Sequence, residues 1–360
     1  MPHDDFRVLV INPGSTSTKI GVFSGDQPEL VRNVEHAEAE LAPFRGKPVL
    51  DQLSFRQAAI ERELREAGYT LGVFSAIAGR GGLMRPVVSG TYRVNPAMLD
   101  DLRKAPFGEQ HASNLGAFLA LAIARHGAAQ AFVVDPVSVD ELCEKARISG
   151  SALVQRRSLS HALNTKAVAR RYARERGKPY EDLRLIVAHL ASGISVSAHR
   201  GGRMVDVNLA GQEGAFSTER CGSLQLLGVL DLCFSGRYTE GALWDALIRE
   251  GGVYSYLGTK DLREVERRIA SGDARAELIF GAMAYQIAKD IGAMAAVLNG
   301  RANAILLTGG MARSDMLIAA IRETVEWIAP VVVYPGEDEL RALAEGALRA
   351  LRGEEPAREL

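Results

Sequence analysis

The sequence predicts an α/β protein of two related domains, and three observations carry that prediction. Apolar runs rich in β-branched residues alternate with helical segments along the chain. At 360 residues the chain exceeds what one hydrophobic core usually serves, roughly 250–300 residues. A strand–turn–strand pattern also occurs twice, as RVLVINPGSTSTKIGVF over 7–23 and as LIVAHLASGISVSAH over 185–199. His189 in the second copy lies 177 residues after Asn12 in the first, almost half of the chain, as a duplication would place it.

In chain order, the apolar run 8–11 meets a Pro/Gly/Ser/Thr turn and continues in a second run, 20–23, which reads as strand, tight turn, strand. Residues 52–67 have helical spacing and are closed by Gly68. The run 73–78 reads as a strand ending in GRGG, and 106–124 begins as a loop and becomes an Ala/Leu-rich helix. The strand 131–134 stops at Asp135-Pro136. Residues 137–146 and 160–176 read as helices, the second stopped by Gly177. Beyond the repeated pattern, 266–298 is mostly helical and apolar nearly all round its second half, as a buried helix would be. Strands at 304–308, opening into Gly309-Gly310, and at 331–333 precede a terminal helix over 339–352.

Composition narrows the function. With 43 Lys plus Arg against 44 Asp plus Glu, the formal net charge is −1, which argues against nucleic acid or an anionic membrane as partner. No stretch of about 20 apolar residues is present, and Asp4 and Asp5 stand where a signal peptide needs positive charge, so the expected location is cytoplasmic. Cys143, Cys221 and Cys233 have no CxxC spacing and read as core fillers.

The turn Asn12–Lys19 has the makings of an anion cradle: small residues expose backbone N–H groups, and hydroxyls add donors. It is not a Walker A loop, because Lys19 follows Thr18 and leads into a strand. On composition alone an ordinary hairpin with a polar tip competes with this reading.

NPGSTSTKIGVF resembles the opening of the acetate and butyrate kinase family, within the superfamily of acetate and sugar kinases, heat-shock ATPases and actin. Further stretches match in the family's order: GRGGLMRPV (79–87), FGEQHASNLGA (107–117), DPVSVDEL (135–142), ARISG (146–150), HALNTKAVARR (161–171), HLASGISV (189–196), EGAFSTERCG (213–222), YLGTKDLREVE (256–266), LLTGGMARSD (306–315) and PGEDELRALAEGALR (335–349). The butyrate kinases fit better than the acetate kinases.

The resemblance implies two duplicated actin-like (ribonuclease H-like) domains with an interdomain nucleotide cleft. Residues 1–136 with the C-terminal helix 337–360 would form the acyl-substrate side, and 137–336 the nucleotide-binding domain. The implied activity is transfer of phosphoryl from ATP, with Mg²⁺, to butyrate or a branched short-chain acid. Acetate or propionate kinase is the nearest alternative, and an actin-like ATP switch protein is a third. A carboxylate acceptor is already ionised at pH 7, so such an enzyme needs positioning and charge neutralisation rather than a strong base. Family members commonly assemble as homodimers or larger homo-oligomers.

By the same resemblance, Asn12, Ser15 and Ser17 hold phosphate oxygens in the first turn, and Ser192 and Gly193 do so in the second. Thr308, Gly309 and Gly310 approach the nucleotide. Arg80 matches the substrate-side arginine and Arg263 a second active-site arginine, although by spacing Arg263 also suits a solvated ion pair with Glu266. His189 is expected to stabilise the transferring phosphoryl group, with His111 the second candidate. Asp135, Asn12 and Glu339 are the metal candidates; Asp135 also suits a helix cap, and Glu337 and Asp338 adjoin Glu339. The family's second turn reads HLGGGISV, so Ala191 and Ser192 replace glycines; if those positions take positive φ, each replacement strains the loop by roughly 1 kcal/mol. Thr218, Gln225 and Lys260 also depart from the family pattern.

Overall fold

The computed structural model describes residues 6–105, 111–208 and 212–360. The expected start of the 106–124 segment, and with it Phe107–Gln110 of one matched stretch, lies outside the described residues. Eleven strands are described: β1 (Arg7–Pro13), β2 (Ser17–Ser24), β3 (Gln27–Glu35), β4 (Ala76–Arg80), β5 (Thr91–Arg93), β6 (Gln130–Val134), β7 (Arg184–Leu190), β8 (Ile194–Arg200), β9 (Arg203–Val207), β10 (Ala304–Gly309) and β11 (Val331–Pro335). The chain divides into two compact units, Met1–Val139 with Asp338–Leu360, and Asp140–Glu337.

The first unit holds a sheet of order β3-β2-β1-β4-β6-β5, with β1, β4 and β6 parallel and β2, β3 and β5 antiparallel to their neighbours. The run VLVI of β1 is buried on both faces, which is why it reads as continuously apolar. Leu9, Ile11 and Ile77 pack with Leu115 and Leu119 of the helix Leu115–Ala124. Strand alternation turns Val8, Val10, Ala76 and Ala78 to the other face, and the C-terminal helix Glu339–Leu351 packs on β1 and β4. A Cβ on Gly79 would stand 2.1 Å from Gly116 O, so glycine here lets the helix Leu115–Ala124 close on the end of β4 beside Arg80.

The second unit repeats the plan. Its sheet runs β11-β10-β7-β8-β9, again with three antiparallel strands followed by parallel ones. β1 and β7 are offset by 177 residues at both ends, as the motif spacing predicts. The copies differ at the turn: Asn12 pairs with Lys19, whereas His189 pairs with Ser195, so the second turn is one residue shorter. The long helix Ala274–Val297 covers this sheet with Ile279, Phe280, Met283, Ile287, Ile291 and Met294.

Two expected helices need correction. The predicted helix 137–146 is only the turn Glu144–Arg147. Asp140 and Glu141 are instead drawn into tertiary contacts: Asp140 binds Arg147 and accepts from the Leu142 and Ser158 amides, and Glu141 takes Lys166 Nζ at 2.6 Å and the Met204 amide at 2.8 Å. The predicted helix 266–298 is two, Leu262–Ala270 and Ala274–Val297, because Asp273 caps the second by accepting from the Arg275 and Ala276 amides.

Behind β8 lies a buried polar network. His199 is fully buried between Tyr180 and Ser197. Ser197 Oγ donates to Val187 O, so it accepts from His199 Nε2–H, and the Tyr180 hydroxyl donates to Nδ1 at 2.6 Å. Burial first, then Lys166 and Arg170, hold the His199 pKa well below 6.5. Burial and Arg56 lower that of His36 in the same direction. A histidine depressed in the folded state contributes stability that is complete above its unfolded pKa near 6.5 and is lost as pH falls below it. Thermal melts are therefore expected to show Tm falling between pH 7 and pH 5, and less so in His199→Gln, whose amide cannot charge. An equal fall in both proteins contradicts this account of His199.

Candidate active site

In the first unit the parallel strands β1, β4 and β6 end together. Ile11 pairs with Gly79, and Arg80 with Val134, so Asn12 and Arg80 are level at the carboxyl ends of the strands and Asp135 follows one residue beyond. Open α/β sheets collect their ligand-facing groups at that edge. Glu339, at the start of the C-terminal helix, joins the row: one carboxylate oxygen pairs with Arg80 and the other accepts from Asn12 Nδ2 at 2.5 Å. Asp338 is occupied as the helix cap, accepting from the Arg341 amide, and Glu337 lies in the other unit; of the three adjacent acids, Glu339 is therefore the one that meets Asn12.

Asp135 is buried and takes φ +36°, a left-handed conformation uncommon outside glycine. Its Oδ1 accepts from Ser89 Oγ at 2.6 Å and the Gly90 amide at 2.8 Å. Ser15 and Thr16 are exposed at the tip of the turn, which Gly14 N closes onto Ser17 O at 2.8 Å. His111 is exposed, and its Nδ1 accepts from the Ser113 amide at the start of a short helical turn.

In the second unit His189 ends β7, level with Thr308 of β10. It is buried, and its Nδ1 lies 3.0 Å from Asn164 Oδ1. With the Asn164 oxygen facing the ring, Nδ1–H donates to it, and Nε2 is the nitrogen left for a ligand. Nε2 lies 3.3 Å from Glu337 Oε1 but is not aligned for a hydrogen bond. The His161 ring stacks on it at 3.8 Å and 13°, with His161 Nδ1 3.1 Å from Ser195 Oγ. Gly309 takes φ +95°, and a Cβ there would stand 2.3 Å from Leu190 O, so the last position of β10 accepts no side chain. Thr308 Oγ1 donates to Gly336 O at 3.1 Å, and Gly310 faces open space.

The second turn is not strained. Neither Ala191 nor Ser192 takes positive φ, so replacing glycine at those positions costs no left-handed penalty. Gly193 is the tight position, because a Cβ there would come within 2.9 Å of Arg220 Nη1 and 3.3 Å of His161 Cε1. Sequence reasoning passed over Arg220, although it stands in the matched stretch EGAFSTERCG. Its Nε is buried without a hydrogen bond. Ser217 ties this segment to the turn: its hydroxyl donates to Ser192 O and accepts from the Arg220 amide at 3.1 Å. Asp290, whose carboxyl is pushed up by burial, accepts from the Ala215 amide and anchors the segment from the helix below. Arg263, by contrast, has a side chain 85 % exposed and pairs with Asp261, not Glu266.

Residues 150–327 match the model of the acetokinase family. Among solved structures, the chain is similar to acetate kinase from Porphyromonas gingivalis, at 19 % identity and a TM-score of 0.75, covering 96 % of this chain and 100 % of that one. It is also similar to a propionate kinase from Francisella tularensis subsp. tularensis SCHU S4 (17 %, TM-score 0.70, 95 % and 98 % covered) and to acetate kinase from Entamoeba histolytica (16 %, TM-score 0.75, 94 % and 98 % covered). The fold is that of these kinases, two actin-like α/β halves.

Proposed function

With residues 150–327 in the acetokinase family, we propose that the chain is an ATP-dependent carboxylate kinase, its acceptor butyrate or a branched short-chain acid. The observation that carries this reading is the character of the two strand-end groups. Asn12, Arg80 and Glu339 in one unit, and His189, His161 and Arg220 in the other, can grip and neutralise anions. Phosphoryl transfer to an ionised carboxylate needs that and little more.

In this reading Arg80 offers its planar fork to the acyl carboxylate or to the transferring phosphoryl group. Glu339 pairs with its guanidinium and orients it, and Asn12 holds the Glu339 carboxylate from the other side. The turn Asn12–Lys19 presents N–H groups and hydroxyls to phosphate. In the second unit Asn164 fixes the His189 tautomer, the His161 ring holds its plane, and Arg220 brings a positive charge over Gly193. This gives Arg220 the second-arginine role, on the ground of its approach to the turn.

ATP and Mg²⁺ are general requirements of the acetate kinase family. Magnesium is usually held through one or two carboxylates plus phosphates and waters, and the Glu339 carboxylate beside Asn12 fits that pattern, each oxygen retaining a second lone pair. Asp135 is the second carboxylate at this edge. When bound, the ion neutralises charge on the nucleotide phosphates.

Hydroxylamine trapping tests the activity, and ranking kcat/KM over acids of two to six carbons tests the chain length. Butyrate or a branched relative should lead. The solved relatives, being acetate and propionate kinases, favour a second reading in which the shorter acids lead; one methylene is worth only about 1–3 kcal/mol in an apolar pocket.

We also infer a homo-oligomer. The helices Leu226–Phe234 and Glu240–Ile248 have no buried residue. Leu226, Leu227 and Phe234 are 72–85 % exposed, and Leu224, Leu230, Tyr238 and Trp244 are 42–48 % exposed. These side chains offer on the order of 800 Å², one partner's share of a standard interface. Acidic Asp231 and Glu240 beside basic Arg237 let the patch complement a second copy of itself. Light scattering is expected to give a dimer or larger assembly that Leu227→Glu/Phe234→Glu reduces to monomer; a wild-type monomer contradicts the inference.

A further inference from the structure

Arg56 sits in the helix Leu53–Glu66, where its sequence position reads as a solvated charge, yet it is fully buried. Its guanidinium points at the back of the first turn. Nη2 donates to Ser15 O at 3.0 Å, and Nη1 donates to Ser17 O and Thr18 Oγ1, each at 3.0 Å. Nε donates to Gln52 Oε1 at 3.0 Å. Among the described residues no carboxylate pairs with it, although Lys166, the other fully buried long cation, has Glu141. A buried charge without a counter-ion is costly and ordinarily finds one. Burial draws its pKa down to about 10, so it stays charged at neutral pH.

His36 does not supply the missing negative charge. Thr18 Oγ1, which accepts from Arg56, lies 2.9 Å from His36 Nε2, and burial and Arg56 hold the ring's pKa below its usual value, so His36 brings no negative charge. The polar groups that face Arg56 are therefore turn carbonyls, a hydroxyl and an amide. The geometry of the turn follows from this. The Ser15–Thr16 peptide is trans, so drawing Ser15 O inward turns Thr16 N–H outward, at a tip where Ser15 and Thr16 are exposed.

We propose that Arg56 is the positioning residue of the first phosphate turn: it clamps the Ser15 and Ser17 carbonyls inward, aims the turn's donors outward, and leaves a buried positive charge for the nucleotide's phosphate to complete. This rests on the reading of residues 12–19 as a phosphate turn. It concerns nucleotide binding, so it stands or falls separately from the acyl acceptor.

The test measures Kd for Mg-ATP by calorimetry, with kcat and both KM values from hydroxamate formation. In Arg56→Gln, Kd for Mg-ATP is expected to rise tenfold or more and kcat to fall, while KM for the carboxylate stays within twofold. Arg56→Lys, which keeps the charge but loses the fork, should fall between. A folded Arg56→Gln protein with the wild-type Kd, or with both KM values raised alike, overturns the proposal. If Arg56→Gln does not fold by circular dichroism, Thr18→Val removes one acceptor of the clamp and leaves Arg56 in place. It should weaken Mg-ATP about threefold, and an unchanged Kd overturns the proposal. If wild type binds Mg-ATP but phosphorylates no acid, and Arg56→Gln weakens that binding, the role of Arg56 stands and the carboxylate kinase reading falls. Wild type that fails to bind Mg-ATP overturns both.

Discussion

Arg80→Ala is expected to lower kcat by on the order of 10²-fold or more, the usual effect of removing one donor to a developing anion. Its guanidinium pairs with Glu339 in the strand-end row, and its side chain is still 24 % accessible. Loss of the Glu339 pair should cost about 1 kcal/mol or less of stability, because both partners keep some contact with water. Arg80→Lys should recover only part of the activity, since an ammonium cannot span two oxygens. Steady-state kinetics on wild type, Arg80→Ala and Arg80→Lys decide it: an Arg80→Ala enzyme that keeps its kcat would leave Arg80 only a partner of Glu339.

The second large effect is expected at His189, and the choice of replacement matters. His189→Ala would leave the Asn164 oxygen without its donor and a gap beside the His161 ring, so it should lower both Tm and kcat. His189→Asn is the cleaner variant, because its amide nitrogen can stand near the old Nδ1 and still donate to Asn164. What it lacks is Nε2. We expect kcat to fall on the order of 10²-fold with Tm within about 2 °C of wild type. A His189→Asn enzyme that keeps its kcat would make His189 a scaffold residue, whatever its Tm.

The duplication was legible because a strand–turn–strand pattern is local: β-branched runs and a Gly/Ser turn announce it, and β1 and β7 sit 177 residues apart as the motif does. The row Asn12, Arg80 and Asp135 was legible for a related reason. Each ends an apolar run, and parallel strands align their ends. What was not legible depends on long-range approach. Arg220 matters because Ser217 ties its segment to the second turn, and no spacing rule encodes that bond. Arg56 is masked by a helix pattern in which an arginine ordinarily faces water. The segment 137–146 fails as a helix because Asp140 and Glu141 find partners at Ser158, Lys166 and Met204, far along the chain. The second turn went the other way: the strain expected of Ala191 and Ser192 is absent, since neither backbone enters the left-handed region.

The most direct test of the central claim is to measure ADP and trapped hydroxamate together, with purified protein, Mg-ATP, hydroxylamine and each acid of two to six carbons. The account predicts that at least one acid gives hydroxamate and ADP in equal amounts, and that neither forms without Mg²⁺. ADP released without hydroxamate for every acid, or no ADP at all, would contradict it.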